Sequence, residues 1–369
     1  MTPKINLSAI IFIFLFLPMT GFSQLTAHEN EVISKFSNRL KNDVAWDDLH
    51  GSISAAVIKG NKVIWANAFG YADKDRNILA DTGTNYRIGS ITKTFTATLL
   101  MLLVEDKKIS LDDDVRKYVP EIAQLKGYSD KYKITFKQLA SHTSGIKRHP
   151  DPDSYYFGDP TQWERLLLRA IPITSFASKP GKEFLYSDIG YAILGLALER
   201  ASGESYISML QRRIIEPLQM HDTYLLVPDT KITKLAVGLE NVSGVVYIDI
   251  PFKQQSGMGY GLPAGSLYST PSDLAKFVTS FIVKPQILSK SSIRKMEDIS
   301  NVSDTYGLAL MMHSGIGQNL IEHDGFVPGY TAQFVVDLDS KYSVIIMRNY
   351  NQGSTDLNEV AKKLLRDFF

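Results

Sequence analysis

The sequence predicts an α/β layer built from both ends of the chain, with an all-α domain inserted between them. Two observations support this fold class. Runs typical of β-strands occur near the N-terminus and again in the last third of the chain, whereas helical patterns dominate residues 90–220. With 369 residues, 44% of them hydrophobic, the chain can bury a large core. Because clefts form where domains meet, we expect the functional site at this junction.

The first residues have the features of a secretory signal peptide. Lys4 is followed by an apolar run from about Ile10 to Pro18, which is shorter than the roughly 20 residues that a bilayer span requires. Gly21 and Ser23 are small residues at the positions that a signal peptidase reads, so we expect cleavage after Ser23. A retained N-terminal anchor is the alternative. The expected location is the periplasm or the exterior of a bacterium, with no membrane span after cleavage.

The next elements follow in order. A helix is predicted from Glu29 to about Leu40, followed by a hairpin of strands 52–58 and 62–69 with its turn at Gly60-Asn61. The segment "DIGYAILGLALERASG" has helical spacing and ends at Gly203. Strands return at 320–323, "YTAQFVVDL" and "YSVIIMRNY", and a helix is predicted in "DLNEVAKKLLRDFF". We therefore assign 24–89 and 221–369 to the α/β domain and 90–220 to the mostly helical domain.

Composition excludes several classes of function. Lysine plus arginine (40) nearly balances aspartate plus glutamate (39), so no basic surface indicates nucleic-acid binding. The absence of cysteine excludes disulfides, thiolate metal sites and a cysteine nucleophile. Seven histidines form no metal-binding motif, and the glycine-rich "QQSGMGYGLPAG" lacks the spacing of a dinucleotide loop. We expect no cofactor and no metal, and interpret the glycine-rich segment as a loop beside the site.

Ser90 and Lys93, in "YRIGSITKTF", are the first candidates for chemistry. At the start of a helix these two side chains share one face, and the first-turn N–H groups favour an oxyanion near Ser90. A serine needs a base, and a lysine is a base only if its pKa falls to roughly 7–8. The alternative is that Ser90 is simply an N-cap.

Tyr186 precedes the helix that is predicted to start near residue 189. Its phenol oxygen, if placed between Ser90 and Lys93, could relay a proton to a leaving group. The alternative is a core tyrosine with a hydrogen-bonded hydroxyl.

The segment "LIEHDGFVPGYTAQF" supplies the last group. His323, at the end of a strand, could bind substrate or transfer a proton near neutral pH. Gly325 would let a ligand lie along the strand edge, and the N–H of Phe326 would be a second oxyanion donor beside that of Ser90. The alternative is an ordinary turn histidine.

Several segments, in order, resemble the serine β-lactamase and penicillin-binding-protein superfamily. They are "GSITKTFTATLL", "LASHTSGI", "PGKEFLYSDIGYAILG", "IIEPLQMHDT", "PAGSLYSTPSDLAKF" and "EHDGFVPGY". The similarity is greatest to class C β-lactamases, D-alanyl-D-alanine carboxypeptidases of the HxG type and related esterases. The resemblance implies a β-lactamase/transpeptidase-like fold with an antiparallel sheet flanked by helices.

The resemblance also implies catalytic roles. Ser90 would be acylated, Lys93 would activate it, Tyr186 would shuttle the proton, and His323 with Gly325 would line the substrate edge. It assigns a structural role to "HTSG", residues 142–145.

The tyrosine motif departs from the family pattern. Asp188 stands where these enzymes usually have asparagine, and a carboxylate cannot donate to a substrate carbonyl. Asp188 would instead pair with Lys93 and raise its pKa, or attract a substrate amine. His323 replaces a lysine, so it holds a carboxylate less strongly by charge.

These observations predict an exported serine hydrolase. Its substrate is expected to be a carboxylic ester, then a D-amino-acid or peptidoglycan stem peptide, and then a β-lactam. The alternative class is a non-catalytic peptidoglycan-binding or penicillin-sensing protein on the same fold. The oligomeric state is not predicted.

Overall fold

The computed structural model describes residues 25–46, 49–152, 158–242, 245–249, 259–282, 286–299, 301–315, 318–351, 353 and 355–369. The predicted signal peptide, 1–23, lies outside the described residues. No helix in the described part of the chain is long and apolar enough to cross a membrane.

Eleven strands form three sheets in the described ranges. The strands are β1 (Ser52–Lys59), β2 (Lys62–Asp73), β3 (Ile78–Leu79), β4 (Tyr86–Arg87), β5 (Gly238–Val242), β6 (Val245–Asp249), β7 (Tyr268–Ser269), β8 (Met311–Gly315), β9 (Gln318–Val327), β10 (Tyr330–Asp337) and β11 (Tyr342–Arg348). Seven of them make one antiparallel sheet in the order β3-β2-β1-β11-β10-β9-β8. Since β1 and β11 are neighbours, both chain ends contribute to this sheet, as predicted.

Ten α-helices surround and extend the sheet within the same ranges. They are α1 (Ala27–Trp46), α2 (Thr92–Glu105), α3 (Phe136–Ala140), α4 (Trp163–Ala170), α5 (Asp188–Ser202), α6 (Tyr206–Leu210), α7 (Leu262–Gly265), α8 (Pro271–Ile282), α9 (Lys290–Glu297) and α10 (Leu357–Asp367). Among the described residues between 90 and 220, no β-strand occurs.

The two faces of the large sheet are covered by different helices. One face packs against α1 and α10, in a core that includes Leu40, Ile346 and Leu365. The other face packs against α8 and is continuous with the core around α2 and α5, where the Phe95 and Phe277 rings stack with centroids 3.7 Å apart. Because both faces are covered, β11 is buried along its whole length. The centre of its sequence, "VIIM", is accordingly a continuous apolar run.

Local signals account for several element boundaries. The predicted hairpin is confirmed as β1 and β2, and Gly60 adopts the left-handed φ of +61° at its turn. Helix α5 begins after Ser187, whose Oγ accepts the Gly190 N–H at 3.0 Å. It ends at Gly203, which has a φ of +75° and donates its N–H to the Glu199 carbonyl, as predicted. The predicted fold class, helices flanking an antiparallel sheet, is confirmed.

Candidate active site

Ser90 lies between the strand β4 and the helix α2. Residues Gly89–Ile91 form a single 3₁₀ turn, and α2 begins at Thr92. No side chain caps either of these two helical segments. Ser90 is therefore not the N-cap that the alternative interpretation required. Its Oγ instead accepts a hydrogen bond from the Lys93 ammonium, with Nζ and Oγ 3.1 Å apart.

Lys93 is fully buried and has three acceptors for its three ammonium protons. Nζ lies 2.7 Å from Asp188 Oδ1, 2.9 Å from the Ala264 carbonyl oxygen and 3.1 Å from Ser90 Oγ. Burial by itself lowers the pKa of Lys93, but the Asp188 charge and the Tyr186 hydroxyl outweigh it, so the pKa lies above its ordinary value. Lys93 is thus a cation in the resting site.

Tyr186 completes the group around Ser90. Lys93 Nζ lies 4.8 Å from the centre of its ring, and Lys93 and Ser90 are both near enough to its hydroxyl to lower its pKa. Burial raises the pKa of Tyr186, although the Lys93 charge opposes this shift. The structure therefore brings Ser90, Lys93 and Tyr186 together, and the phenol is protonated at rest.

Asp188 is buried beneath Lys93, at the first turn of α5. Oδ1 pairs with Lys93, while Oδ2 lies 3.0 Å from Arg148 Nε and 3.4 Å from His149 Nε2. Burial would raise the pKa of Asp188, but the charges of Lys93 and then Arg148 lower it to about 2. The prediction that Asp188 binds substrate is corrected, because this carboxylate is only 1% exposed and both oxygens are engaged. Of the two alternatives, the ion pair with Lys93 is the one that forms.

Arg148 and His149 are site residues that sequence reasoning missed. The Arg148 carbonyl accepts the N–H groups of Asp188 and Ile189, both at 3.2 Å, and so fixes the start of α5. The Arg148 guanidinium lies 5.2 Å from the centre of the Tyr186 ring. His149 Nδ1 contacts the Tyr260 hydroxyl at 3.1 Å. The available signal was two adjacent basic residues directly after "HTSGIK".

Gly325 and Gly89 allow two backbones to cross beside Ser90. A Cβ on Gly325 would lie 1.9 Å from the Ile88 carbonyl oxygen, and one on Gly89, whose φ is +50°, would lie 2.7 Å from the Phe326 nitrogen. These contacts lie on the face of β9 where a side chain would project, so the expectation that a ligand lies along the strand edge at Gly325 stays a prediction. The crossing brings the Phe326 backbone nitrogen close to Gly89, the residue before Ser90, and its oxyanion role stays a prediction.

The Phe326 side chain has a different environment from its backbone. Side chains alternate along β9, so Phe326 shares a face with Leu320, which packs in the core beneath α1 and α10. The ring is 56% exposed at the end of this strand. Only the main chain of Phe326 is directed at the site.

His323 does not line the substrate edge. It is 1% exposed, its Nδ1–H donates to the Asp324 carbonyl at 2.6 Å, and Nε2 accepts from the Tyr306 hydroxyl at 3.0 Å. Burial lowers the pKa of His323, so the ring is neutral. The predicted contact with substrate is therefore corrected: both ring nitrogens are occupied within a buried layer. Sequence reasoning also missed Tyr306, for which "DTYGLAL" offered little signal.

No metal-binding arrangement is found in the part of the chain that the structure describes. There, no group of three or more His, Asp or Glu side chains is placed to hold an ion. The chemistry available to the site is that of a hydroxyl, an ammonium, a phenol and backbone N–H groups.

Comparisons with known proteins agree with this geometry. The family model described as Beta-lactamase matches residues 43–366. Protein flp of Staphylococcus aureus (strain N315) is 26% identical over 337 residues, which cover 89% of this chain and 65% of that protein. The chain thus spans slightly less than two thirds of the length of this curated relative.

Solved structures share the fold over most of the chain. The octameric penicillin-binding protein homologue from Pyrococcus abyssi has a TM-score of 0.77 and 29% identity, covering 90% of this chain and 76% of that one. The D-amino acid amidase from Ochrobactrum anthropi SV3 has a TM-score of 0.75 and 23% identity, covering 91% and 98%. With its family match, its sheet order and its Ser90–Lys93–Tyr186 group, this chain belongs to the β-lactamase family of the serine β-lactamase and penicillin-binding-protein superfamily.

Proposed function

We propose that this protein is a serine hydrolase that acts through an acyl-enzyme on Ser90 and cleaves an ester or a D-amino-acid amide of the peptidoglycan type. The observation that carries the proposal is the 3.1 Å contact between Ser90 Oγ and the buried Lys93 Nζ, with the centre of the Tyr186 ring 4.8 Å from that Nζ. This is the geometry of a nucleophile with its base beside it.

The reaction would proceed in two balanced steps. Ser90 Oγ attacks the substrate carbonyl carbon while its proton passes to a Lys93–Tyr186 pair that has lost one proton. The oxyanion is held by the N–H groups of Ser90 and Phe326. Tyr186 then protonates the leaving alcohol or amine, and a water molecule hydrolyses the Ser90 ester to release the acid and regenerate the hydroxyl.

The resting protonation state sets the condition for the first step. Lys93 gives all three protons to acceptors, and the pKa values of Lys93 and Tyr186 both lie above their ordinary values. One of these groups must be deprotonated before Ser90 can be activated. We therefore propose that acylation is fastest in alkaline solution.

The raised pKa of Lys93 also favours a second candidate function. A lysine that stays protonated would slow acylation or deacylation, as suits a non-catalytic peptidoglycan-binding or penicillin-sensing protein. In that case Ser90 would bind a ligand without turnover, or would retain an acyl group once it formed.

The order of substrates follows from the charges around Ser90. His323 is neutral and buried, so β9 offers no fixed cation to a substrate carboxylate. Asp188 is buried and cannot hydrogen-bond an acylamino group. We therefore place esters first, D-amino-acid amides and peptides second, and β-lactams third. A similar fold in the D-amino acid amidase makes D-amino-acid amides a useful probe.

A substrate panel tests the proposal. Purified protein and the Ser90→Ala variant are assayed with a short p-nitrophenyl ester, a D-amino-acid amide, a D-Ala-D-Ala peptide and a chromogenic cephalosporin. We expect turnover of the ester that is lost in Ser90→Ala and kept in Ser291→Ala, an exposed serine on α9. Intact-mass spectrometry then shows whether Ser90 carries an acyl group.

Three outcomes decide between the candidates. Ester turnover through Ser90 supports the hydrolase. A stable adduct on Ser90 without turnover supports the sensor, and no turnover with no adduct contradicts acyl-enzyme chemistry altogether. A cephalosporin rate far above the ester rate would overturn the proposed substrate order.

A further inference from the structure

His142 lies directly behind Tyr186 and is completely buried. Its ring centre is 4.0 Å from that of Tyr186, with the two planes inclined by 33°. The rings of Tyr191 and Tyr306 also contact it, with centroids 4.9 Å and 5.1 Å away. The imidazole is thus the innermost member of an aromatic layer that backs the phenol of the site.

His142 also holds the backbone on both sides of Tyr186. Its carbonyl accepts the Leu185 N–H at 2.7 Å, and its Nδ1 accepts the Ser187 N–H at 3.0 Å. The residue before and the residue after Tyr186 are therefore fixed to one and the same residue. Together with the ring contact, His142 restrains Tyr186 at three points.

The hydrogen bonds define the tautomer of His142. Because Nδ1 accepts, the proton of the neutral ring is on Nε2, which finds no hydrogen-bond partner among the described residues. Burial, and then the Lys93 charge, hold the pKa of His142 well below its ordinary value. The ring therefore stays neutral at working pH and is not itself an acid or a base in the reaction.

Two features of His142 lower the stability of the folded protein. An unpaired buried donor is costly, and a non-glycine residue with a φ of +57° is uncommon. An apolar ring in this place would avoid the unpaired donor but could not accept the Ser187 N–H. A short acceptor such as asparagine would keep that bond but not the stacked ring.

We infer that His142 is a positioning residue for Tyr186, which keeps the phenol oxygen between Ser90 and Lys93 by stacking on its ring and bonding the backbone on either side. The inference rests on the proposed hydrolase function and extends it to a residue that was expected to be only structural. His142 would act through Tyr186 and would not touch substrate.

The test is a double-mutant cycle of His142→Asn with Tyr186→Phe, measured with the p-nitrophenyl ester. Asparagine tolerates the left-handed φ and can still accept the Ser187 N–H. The variant therefore tests the loss of the imidazole ring separately from the loss of this hydrogen bond. We expect kcat to fall about 10- to 100-fold in His142→Asn, because a misplacement of about 1 Å has that effect. KM should be nearly unchanged, and in the Tyr186→Phe background His142→Asn should cause no further loss.

His50→Asn is the matched control. His50 is exposed, has a φ of +52° and lies just before β1, so it carries the same substitution in the same backbone conformation. It should leave kcat and the melting temperature unchanged.

The outcomes separate the two proposals. If wild-type protein turns over the ester but His142→Asn matches it, or if the losses in the double variant multiply, the positioning role is overturned and the hydrolase stands. If the wild-type protein has no Ser90-dependent turnover, both fail. Equal loss of kcat and of folded protein, by circular dichroism, would show a structural role instead and would also overturn the inference.

Discussion

The two sides of the candidate site differ in how they are built. The helical side, formed by α2, α5 and residue 148, contains charged groups: Lys93, Asp188 and Arg148. The strand side, formed by residues 323–326 of β9, contains a neutral histidine, a glycine and the Phe326 backbone nitrogen beside Gly89. On the helical side, charge sets the chemistry, whereas on the strand side close backbone packing does.

The two sides of the site should therefore respond differently to substitution. A buried ion pair depends on each of its partners, since removing one leaves an uncompensated charge. A backbone crossing depends on the absence of a side chain, so the smallest possible addition disturbs it. Substitutions on the helical side should therefore change pH dependence and rate, and those on the strand side should change rate and packing with no change in pH dependence.

The largest effect is expected from Lys93→Met on the helical side. Methionine fills the space of the lysine stem but removes the base, so the rate of Ser90 acylation should fall by about 10³-fold. Single-turnover kinetics with the ester measure this rate. Lys276→Met is the control, because Lys276 also pairs with a buried aspartate, Asp273, at 2.7 Å but lies on α8. A loss below tenfold in Lys93→Met would show that another group is the base.

On the strand side, Gly325→Ala should be the most harmful change. The added Cβ would force the Ile88 carbonyl away and shift the Phe326 N–H, so kcat should fall by about 10²-fold, as for the loss of one oxyanion donor. The overpacking should also lower the free energy of unfolding by about 1–3 kcal/mol. Steady-state kinetics and urea denaturation check both values.

The control for Gly325→Ala is Gly83→Ala. A Cβ at Gly83 would meet the movable ends of two side chains, Asp81 at 3.3 Å and Lys234 at 3.8 Å. Full activity in Gly325→Ala would mean that the backbone crossing does not position the oxyanion donor.

Asp188→Asn tests whether charge controls the helical side. Without the carboxylate, burial dominates and lowers the pKa of Lys93, so the acid limb of the kcat/KM profile should move to lower pH. Asp273→Asn, which removes the partner of Lys276, should not move the limb. An unchanged limb in Asp188→Asn would show that the ion pair does not set the protonation state.

The same variant should change how stability depends on pH. In the wild type the folded-state pKa of Lys93 is raised, so its stabilising contribution is present below the ordinary lysine pKa of about 10.4 and is lost above the raised value. In Asp188→Asn the folded-state pKa of Lys93 is lowered, so the free energy of unfolding should rise as the pH increases from that lowered pKa towards the ordinary lysine pKa. Denaturation at several pH values measures this slope.

The smallest effect on rate is expected from Tyr306→Phe. The change removes the hydroxyl that donates to His323 Nε2 and leaves a buried acceptor unpaired, which should cost about 1–3 kcal/mol of stability. Activity should change little, because both residues lie behind the reacting groups. A large loss of kcat without a loss of stability would return His323 to a direct role in the reaction.

The sequence alone predicted those features that depend on residues close together along the chain. The alternation of β1 and β2 about Gly60, the apolar run of β11 and the cap at Gly203 each depend on neighbours a few positions away. The pair Ser90 and Lys93 was also predictable, because residues three apart near the start of a helix share a face. By contrast, the short strand β8 was missed, since "MMHSG" has a weak pattern and β9 is its one neighbouring strand among the described residues.

The sequence by itself determined the fold class and the placement of Ser90 beside Lys93. Tertiary structure decided the rest: that Asp188, 95 positions from Lys93, binds it, that Gly325 faces the Ile88 carbonyl, and that the His323 ring points into a buried layer. The physical reason is the separation along the chain of the residues that interact. Helical and strand periodicity are set by neighbours along the chain, whereas a charge or a hydrogen bond depends on which distant residue comes within about 3 Å, and only packing fixes that.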